Sequence, residues 1–308
     1  MTVVYDWADV APCAPHIQRL CLGFFDGLHL GHQQVILGKK EDRKITAVFT
    51  FQNHPTTVLN PSQRPLLLTG LPHKLQLLAD YSIGYVIALP FTESQAHQTA
   101  EDFLENLKRC LPHLSTISVG YNWKFGYQRR GHVDMLQHWA EKQKISIQVS
   151  LPVTWKDIPI SSSRIRQAIQ AGHLSDVSAM LGRTFGLYGK VIQGQQKGHA
   201  IGFPTINLET EDECLPSNGV YAGLTRLQDG SLWKSAINIG LRPTIPGTIK
   251  PQVEAHLLDF SGNLYGQSIS IYLMEYLRPE QKFTSIEDLK RAIALDVEKI
   301  RQKVPEDS

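Results

Sequence analysis

The stretch CLGFFDGLHLGHQ, from Cys21 to Gln33, decides how the first part of this chain is organised. A hydrophobic segment runs into a turn between two glycines, which let the backbone approach a ligand without a Cβ in the way. The pattern then predicts a helix that opens at about Gly31, and the first amides of a helix favour an anion. His29 and His32 lie one helical step apart, so both imidazoles can point at the same phosphates. The stretch predicts a triphosphate-handling loop, and the alternative is a turn with two surface histidines.

The two histidines suit a displacement at an α-phosphate. In that reaction charge grows on the non-bridging oxygens and on the leaving pyrophosphate. Imidazole donors that are held in place beforehand stabilise such charge. The stretch ISSSRIRQAI, from Ile160 to Ile169, can serve the same task, since serines cap a helix and Arg166 can grip phosphate oxygens with its forked guanidinium. The alternative is a capped surface helix with solvated arginines.

An aromatic segment, VGYNWKFGYQRRG, runs from Val119 to Gly131. Asn122 can hydrogen-bond a ligand, while Trp123 or Phe125 can shape a pocket for a flat ring. The alternative is a packed aromatic turn. His54, in the segment FQNHP, is a further candidate for a phosphate or nucleotide contact.

Strand-like runs alternate with helix-like ones from Ile17 to about Leu181. The order predicts a parallel sheet wrapped by helices, which is a Rossmann-like α/β fold. Thr99 followed by Asp102 predicts a capping box, with aspartate in the glutamate role, at the start of one helix. Ligands of such sheets lie outside the carboxyl ends of the strands, and this is where the interpretation places His29, His54 and Asn122.

The sequence pattern changes after Gly182, where short strand-like runs are separated by Gly, Pro, Asn and Asp. This pattern is typical of an all-β barrel. The last segment, from Ser285 to about Lys303, predicts an amphipathic helix that packs on the barrel through an apolar stripe. The predicted stripe consists of Ile286, Leu289, Ile293, Leu295, Val297 and Ile300. The predicted domains are residues 1–182 and 183–308.

The segment KGHAIGFPTINL, from Lys197 to Leu208, carries the chemistry predicted for the barrel. A glycine loop can close over phosphates, and the Thr205 hydroxyl and Asn207 carbonyl offer hard oxygen ligands to magnesium. A turn between strands explains the glycines but not the threonine and asparagine. In QVEAHLLDF, strand alternation puts Glu254 and His256 on one face.

Composition describes an ordinary globular protein, with 308 residues, 42% hydrophobic residues, 19% charged residues and a net charge of +2. The length suits two domains. The charge is too small, and the basic residues too scattered, to indicate nucleic-acid binding. Four cysteines show no CxxC pair or zinc spacing, so we expect reduced thiols. The sequence has no segment like a signal peptide and no apolar segment long enough to cross a bilayer. We therefore expect the protein to be located in the cytoplasm and to have no membrane partner. Oligomeric state is left open.

These motifs resemble known families. The sequence His29-Leu30-Gly31-His32 resembles the HxGH signature of nucleotidylyl transferases, which class I aminoacyl-tRNA synthetases share in variant form. From about Leu20 to Arg301 the chain resembles the prokaryotic bifunctional riboflavin kinases and FAD synthetases. That resemblance implies an FMN adenylyltransferase (FAD synthetase) domain followed by a riboflavin kinase barrel with a C-terminal helix. The barrel would phosphorylate riboflavin with MgATP, and the α/β domain would transfer AMP from a second ATP to FMN.

The resemblance also implies roles for individual residues. The catalytic residues would be His29, His32 and Glu254, with Glu254 as the general base for the ribityl 5′-hydroxyl. ATP and phosphate binding would fall to Gly23, Phe25, Asp26, Gly27, Gly31, His54, Ser162, Ser163, Arg166, Gly198, Gly202 and Pro204. Flavin binding would fall to Asn122, Trp123, Phe125 and Arg278, and metal binding to Thr205 and Asn207. The partners implied are ATP, riboflavin, FMN and Mg2+.

The chain departs from the family pattern at a few positions. Ser163 replaces threonine, Trp123 replaces phenylalanine, Gln52 and Asn53 stand where an acid and a proline are frequent, and His199 replaces arginine. The loss of a permanent forked cation at position 199 can weaken phosphate binding or make it pH-dependent. The alternatives are therefore a chain with one active module, most plausibly the adenylylating one, and a non-catalytic flavin-binding protein. A class I aminoacyl-tRNA synthetase is disfavoured because there is no KMSKS-like segment.

Overall fold

The chain divides into two compact units. The computed structural model describes residues 1–194, 198, 201–245 and 248–304, and of residues 241–245 and 248–251 it describes the backbone alone. The first unit comprises Met1–Leu67 and Lys74–Ser162, and the second comprises Leu68–His73 and the chain from Ser163 onward. This division falls about twenty residues before the boundary predicted after residue 182. The predicted boundary stays a prediction.

The first unit alternates strands and helices. Its strands are β1 (Thr2–Val4), β2 (Arg19–Leu22), β3 (Thr46–Phe51), β4 (Tyr85–Leu89), β5 (Thr116–Gly120), β6 (Lys124–Phe125), β7 (Gly131–His132), β8 (Ser146–Ser150), β9 (Thr154–Trp155) and β10 (Ile158–Pro159). Its helices are α1 (Leu30–Ile36), α2 (Thr56–Leu59), the greater part of α3 (Leu71–Asp80), α4 (Glu93–His97), α5 (Ala100–Cys110) and α6 (Val133–Gln143). Short 3-10 helices lie at Trp7–Val10, Ala14–His16, Glu41–Ile45, Pro61–Gln63 and Tyr127–Arg129.

The main sheet of the first unit has six parallel strands in the order β1-β4-β3-β2-β5-β8. All four residues of β2 are buried, as expected for a strand that is covered on both faces. The chain runs from β2 to β3 and β4 on one side and later returns to β5 and β8 on the other. The carboxyl end of β2 therefore lies at the point where the strand order reverses, which is where open α/β sheets bind ligands.

The helix that follows β2 is anchored at its far end. Arg19, only 6% exposed, donates from its two terminal nitrogens to the Val35 and Ile36 carbonyls at 2.7 and 2.6 Å. These carbonyls lack intrahelical partners, so the guanidinium satisfies the end of α1. Burial raises the pKa of the Cys21 thiol to about 11, so the thiol stays protonated and donates to the Val35 carbonyl at 3.4 Å.

The second unit begins with two helices, α7 (Ser162–Gln170) and α8 (Leu174–Leu181). A closed antiparallel barrel follows, in the order β11-β12-β15-β14-β13-β16. Its strands are β11 (Gly186–Ile192), β12 (Ile206–Thr210), β13 (Gly219–Arg226), β14 (Leu232–Ile245), β15 (Thr248–Leu257) and β16 (Ser268–Arg278), and the last helix is α9 (Ile286–Lys303). The parallel sheet, the barrel and the final helix confirm the predicted fold class.

The apolar stripe of α9 is only partly core, which corrects the sequence interpretation. Ile300 is fully buried with Ala222 and Leu224 of the barrel, and Val297 packs against this cluster. Leu295 is 59% exposed and so does not belong to the stripe. Three of its other members, Ile286, Leu289 and Ile293, line a cavity instead.

A short segment from early in the chain belongs to the second unit. The Glu213 carboxylate accepts hydrogen bonds from the Gly70 amide at 2.8 Å and from His73 Nδ1 at 3.0 Å. The side chains of His73 and Glu213 are only 8% and 1% exposed, so the hydrogen bond between them is shielded from water. No sequence pattern predicted this contact across 140 positions.

The N-cap half of the capping box predicted for α5 is present, and Thr99 and Asp102 are also joined through their side chains. The Thr99 hydroxyl accepts from the Asp102 amide at 3.1 Å and donates to the Asp102 carboxylate at 2.7 Å. Both groups are exposed, so the box contributes to the local stability of α5 and not to the core.

We expect Thr99→Ala to destabilise the start of α5 by about 1 kcal/mol, because one helix amide loses its acceptor. Thr99→Ser keeps the hydroxyl and should change stability by a few tenths of that value. Hydrogen exchange of the α5 amides measures both. Equal exchange in the two variants would contradict a capping role.

Candidate active sites

The turn after β2 is tightly wound. Phe25, Gly27 and Leu28 have φ values of 54°, 81° and 44°, in the left-handed region that residues with a Cβ rarely adopt. Gly23 is required next to this turn, since a Cβ there would come within 2.8 Å of the Phe25 ring. A close approach of Gly23 to a ligand stays a prediction.

The two histidines of the HxGH motif lie together at the start of α1. His29 is the N-cap residue, and its Nδ1 accepts from the His32 amide at 3.3 Å. The rings stack with centroids 3.6 Å apart and planes 18° from parallel, and Gly31 leaves space for the His29 ring. Since Nδ1 accepts, a neutral His29 carries its ring proton on Nε2 and can donate it to an anion. Sequence analysis placed the helix start at about Gly31, one residue after its true beginning at Leu30.

Part of the serine motif contacts this turn. Ser162 donates its hydroxyl to the Asp26 carbonyl at 2.9 Å, across 136 positions. Asp26 itself is only 3% exposed. Ser163 and Arg166 lie in the first turns of α7, with Ser163 exposed and Arg166 half-buried. Their phosphate contacts remain predictions.

His54 follows β3 and packs against the turn. Its ring meets the Phe24 ring edge-on at 4.7 Å, and its Nδ1 accepts from the Thr56 amide at 3.2 Å. The half-buried imidazole thus caps α2 on one side and borders the turn on the other. This position at the end of β3 is the one that the sheet topology predicted.

The aromatic segment after β5 is largely packed. Trp123 and Phe125 stack at 4.4 Å, and Phe125, which is 8% exposed, belongs to the core with Phe103. Trp123 is half-buried and Asn122 is exposed beside the strand end. The packed aromatic turn that sequence analysis kept as its alternative therefore describes Phe125. Flavin contacts by Asn122, Trp123 and Phe125 remain predictions.

The barrel contains a cavity of about 620 Å3. Apolar side chains of α9 and the barrel form much of its wall, while polar groups at one side include Thr205, Asn238 and Glu254. Strand register brings these groups together, because Glu254 lies directly opposite Asn207 on β12 and Asn238 on β14. An apolar pocket with a few convergent polar groups suits a planar ring that carries a polar chain.

Thr205 and Asn207 are held by the loop that precedes β12. Asn207 is 4% exposed, and its side-chain oxygen accepts from the Gln252 amide group. The backbone at Gly194 and Gly198 approaches these two residues so closely that a Cβ would collide with the Asn207 side chain or the Phe203 carbonyl. Gly202 has a φ of 86°, which favours glycine in this loop. His199 lies outside the described residues.

A second cavity, of about 470 Å3, lies on the other side of Thr205. Its wall includes Ile206, Leu257, Phe260, Leu264 and Tyr265, so it also offers apolar and aromatic surface. Thr205 lines both cavities, and Pro204 lines the second. The Pro204 carbonyl accepts from His256 Nδ1 at 2.7 Å, which ties this loop to the strand that carries Glu254.

The half-buried Arg278 and the buried Asp296 form an ion pair at the first cavity. The Asp296 carboxylate, 3% exposed, accepts from Arg278 Nε at 2.9 Å and lies 2.8 Å from Arg278 Nη2. The guanidinium also faces the Phe283 ring, with Cζ 5.7 Å from its centroid. Sequence analysis named Arg278 but missed Asp296. A usable signal was present, because Asp296 follows Leu289 and Ile293 at helical spacing on the apolar stripe.

Sheet and barrel define the class of the two sites, a nucleotidylyl-transferase-like α/β site and a kinase-like barrel site, and comparison with known proteins agrees. The FAD synthetase family model matches residues 14–164, and the riboflavin kinase family model matches residues 181–304. A bifunctional riboflavin kinase/FMN adenylyltransferase of Haemophilus influenzae is 35% identical over 91% of this chain and 92% of its own length. The corresponding protein of Escherichia coli K12 is 33% identical over 90% of each chain.

The chain belongs to the bifunctional riboflavin kinase/FMN adenylyltransferase family. Its whole fold also matches a crystal structure from Streptococcus pneumoniae described as a macrolide-efflux protein, with 26% identity and a TM-score of 0.81 over 97% of this chain and 98% of that one. Among the described residues, no helix is both long and apolar enough to span a membrane.

We expect Asp296→Ala to destabilise the second unit by about 1–3 kcal/mol, because the half-buried Arg278 guanidinium loses a charged hydrogen-bond partner. Glu298→Ala, at an exposed position of the same helix, should stay within about 0.5 kcal/mol of the unchanged chain. Hydrogen exchange of the β16 and α9 amides measures both.

A paired variant separates charge from packing. Arg278→Met combined with Asp296→Leu keeps the volume and removes both charges, so it should recover most of the lost stability. If the double variant is less stable than Asp296→Ala, the desolvation argument is wrong.

Proposed function

We propose that this chain makes FMN from riboflavin and ATP in its barrel, and FAD from FMN and a second ATP in its α/β unit. The observation that supports the proposal is that each unit brings candidate site residues together. The His29 and His32 pair stands at a helix N-terminus beside the sheet switch point. Glu254 and Thr205 line the cavity of the barrel. The chain spans at least nine-tenths of the relatives named above.

In adenylyl transfer, a phosphate oxygen of FMN attacks the α-phosphorus of ATP. A phosphorus–oxygen bond to FMN forms while the bond to pyrophosphate breaks, and negative charge increases on the leaving group. His29 Nε2–H and His32 can donate to these oxygens from the N-terminus of α1, where the helix dipole favours the same charge. The buried position of His29 keeps its donor fixed before the reaction, so little reorganisation is needed.

In phosphoryl transfer, Glu254 acts as the general base. It takes the proton of the ribityl 5′-hydroxyl as that oxygen bonds to the γ-phosphorus and ADP leaves. The 620 Å3 cavity would hold the flavin ring and the 470 Å3 cavity the adenine end of ATP. The γ-phosphate would then lie at Thr205, which borders both spaces, so the geometry brings hydroxyl, phosphate and base together.

Mg2+ fits the oxygen donors of Thr205, which borders both cavities, and of Asn207 on the strand that follows it. Thr205 offers a hydroxyl and Asn207 an amide oxygen, and the glycine backbone at positions 194 and 198 comes close to both residues. Among the described residues there is no cluster of three or more acidic, histidine or cysteine side chains that would suit a protein-only metal site. This donor set suits Mg2+ that arrives with nucleotide and keeps phosphate and water ligands. Bound in this way, Mg2+ would neutralise charge on the β- and γ-phosphates.

Two other points belong to the proposal. ATP, riboflavin and FMN are the proposed small-molecule partners. The cytoplasm is the proposed location, and all four cysteines, Cys13, Cys21, Cys110 and Cys214, are free thiols, as a reducing compartment favours. Matches of both family models over both units do not favour the alternative of a single active module.

We expect His29→Ala and His32→Ala each to lower FAD formation from FMN by about 100-fold or more, because a preorganised donor to the developing charge is lost. FMN formation from riboflavin should persist. His113→Ala, at an exposed histidine of the same unit, is the matched control and should leave both activities unchanged. Chromatography of the flavin products measures both steps, and equal loss of FMN and FAD formation in folded variants would contradict two independent sites.

Glu254→Gln should have the opposite effect. Removal of the base lowers FMN formation by about 100-fold or more, while FAD formation continues when FMN is supplied. Glu209→Gln, at an exposed position on the adjoining strand β12, is the control. A Glu254→Gln enzyme with unchanged FMN formation would rule out the assignment of the base.

Thr205→Val should raise the Mg2+ and ATP concentrations needed for half-maximal FMN formation, because the side chain keeps its shape but loses its oxygen. Thr205→Ser keeps the oxygen and should retain most of the activity. Titration of Mg2+ at fixed ATP distinguishes the two variants. Identical Mg2+ dependence would remove Thr205 from the proposed metal-binding role.

A further inference from the structure

Lys74, on α3, has one of the largest fully buried side chains among the described residues, with 1% of its surface exposed. Lysine is rarely buried, because removing an ammonium group from water is costly unless hydrogen bonds or charges compensate it. The position of this side chain therefore needs an explanation. Neither the motifs nor the family resemblance singled it out.

The Lys74 ammonium is directed at the turn after β2. It donates to the Phe24 carbonyl at 2.6 Å and to the Thr50 hydroxyl at 3.2 Å, and it lies 4.0 Å from the centroid of the Phe24 ring. The Thr50 hydroxyl donates in turn to the same Phe24 carbonyl at 2.9 Å. One carbonyl oxygen thus receives two hydrogen bonds, one of them from a charged donor, which is the stronger kind.

Phe24 immediately precedes the first strained residue of the turn. Phe25 has a φ of 54°, a conformation that costs free energy for any residue with a Cβ. The described peptide bonds are all trans, so the Phe25 N–H points away from the Phe24 carbonyl that Lys74 holds. By fixing one side of this peptide group, the ammonium fixes the direction of the other side and the course of the chain towards His29.

We infer that Lys74 is a positioning residue for adenylyl transfer. Its ammonium holds the Phe24–Phe25 peptide in the strained orientation that aims the turn and the following histidine pair at the triphosphate. This inference rests on the proposed function of the α/β unit. A compact group with three donors is suited to the task, because it can bond to a carbonyl and a hydroxyl and still face an aromatic ring.

The test compares Lys74→Met with the unchanged chain. Methionine retains most of the length and volume but cannot donate, so we expect kcat for FAD formation to fall about 100-fold. The KM for FMN should change by less than about threefold, because the turn, and not the flavin pocket, is altered. FMN formation from riboflavin by the same preparation should be unchanged, which provides an internal control.

A second variant and a matched control keep the test independent of stability. Thr50→Val removes the hydroxyl that bridges Lys74 and Phe24, and should lower kcat about fivefold in the unchanged chain but have little further effect beside Lys74→Met. Leu78→Val reduces packing at a fully buried position one turn further along α3 and should leave kcat unchanged. A loss of kcat in Leu78→Val equal to that in Lys74→Met would show a merely structural role and overturn the inference.

Chemical rescue reports the charge itself. Propylammonium, which matches the atoms removed in Lys74→Ala, should restore part of kcat in proportion to the protonated amine, whereas propanol, with the same number of heavy atoms, should not. Equal rescue by both compounds overturns the inference. If the unchanged chain makes no FAD from FMN and ATP, the proposed function fails as well; if it makes FAD and Lys74→Met keeps kcat within threefold, only the role of Lys74 fails.

Discussion

The proposed site of the α/β unit depends on one strained turn, because that turn positions the histidine pair. Between Gly23 and His29 the backbone adopts left-handed conformations at three residues, and the turn ends in two stacked imidazoles at a helix N-terminus. Such a turn does not persist by its own propensity, so the surroundings must stabilise it. Arg19 anchors the far end of α1, and Ser162 contacts the Asp26 carbonyl. The two imidazoles are therefore held in place by their surroundings.

In the barrel, the candidate site residues are positioned by strand register. Two antiparallel pairings align Asn207, Glu254 and Asn238 in one row across three neighbouring strands. A shift by one residue would turn Glu254 to the other face of the sheet, so the pairing that closes the barrel also positions the proposed base. The ion pair of Arg278 and Asp296 then joins the last strand to α9, which supplies apolar wall to the same cavity.

Local patterns in the sequence predicted the local features well. The parallel sheet, the barrel, the Thr99 capping box and the adjacency of His29 and His32 all follow from short-range periodicity or spacing. Sequence reasoning was weaker where a contact joins distant segments. It did not predict that Glu213 would bind Gly70, that Asp296 would bind Arg278, or that part of the α9 stripe would line a cavity. A hydrophobic period shows which face is turned inward, but not whether protein or ligand fills the space there.

Two of the contacts that the sequence did not reveal, those of Lys74 and Asp296, share one physical character. Lys74 and Asp296 are charged, almost completely buried and bonded to groups that border a proposed site. Buried charges contribute little net stability compared with apolar side chains of the same volume, because desolvation offsets their attraction. They do fix the orientation of neighbouring groups, since a buried ammonium or carboxylate tolerates few arrangements of its hydrogen-bond partners. The two proposed reactions need no covalent enzyme intermediate, so they depend on how the reacting groups are positioned. Buried charged residues contribute to this positioning because they fix the orientation of the groups they bond to.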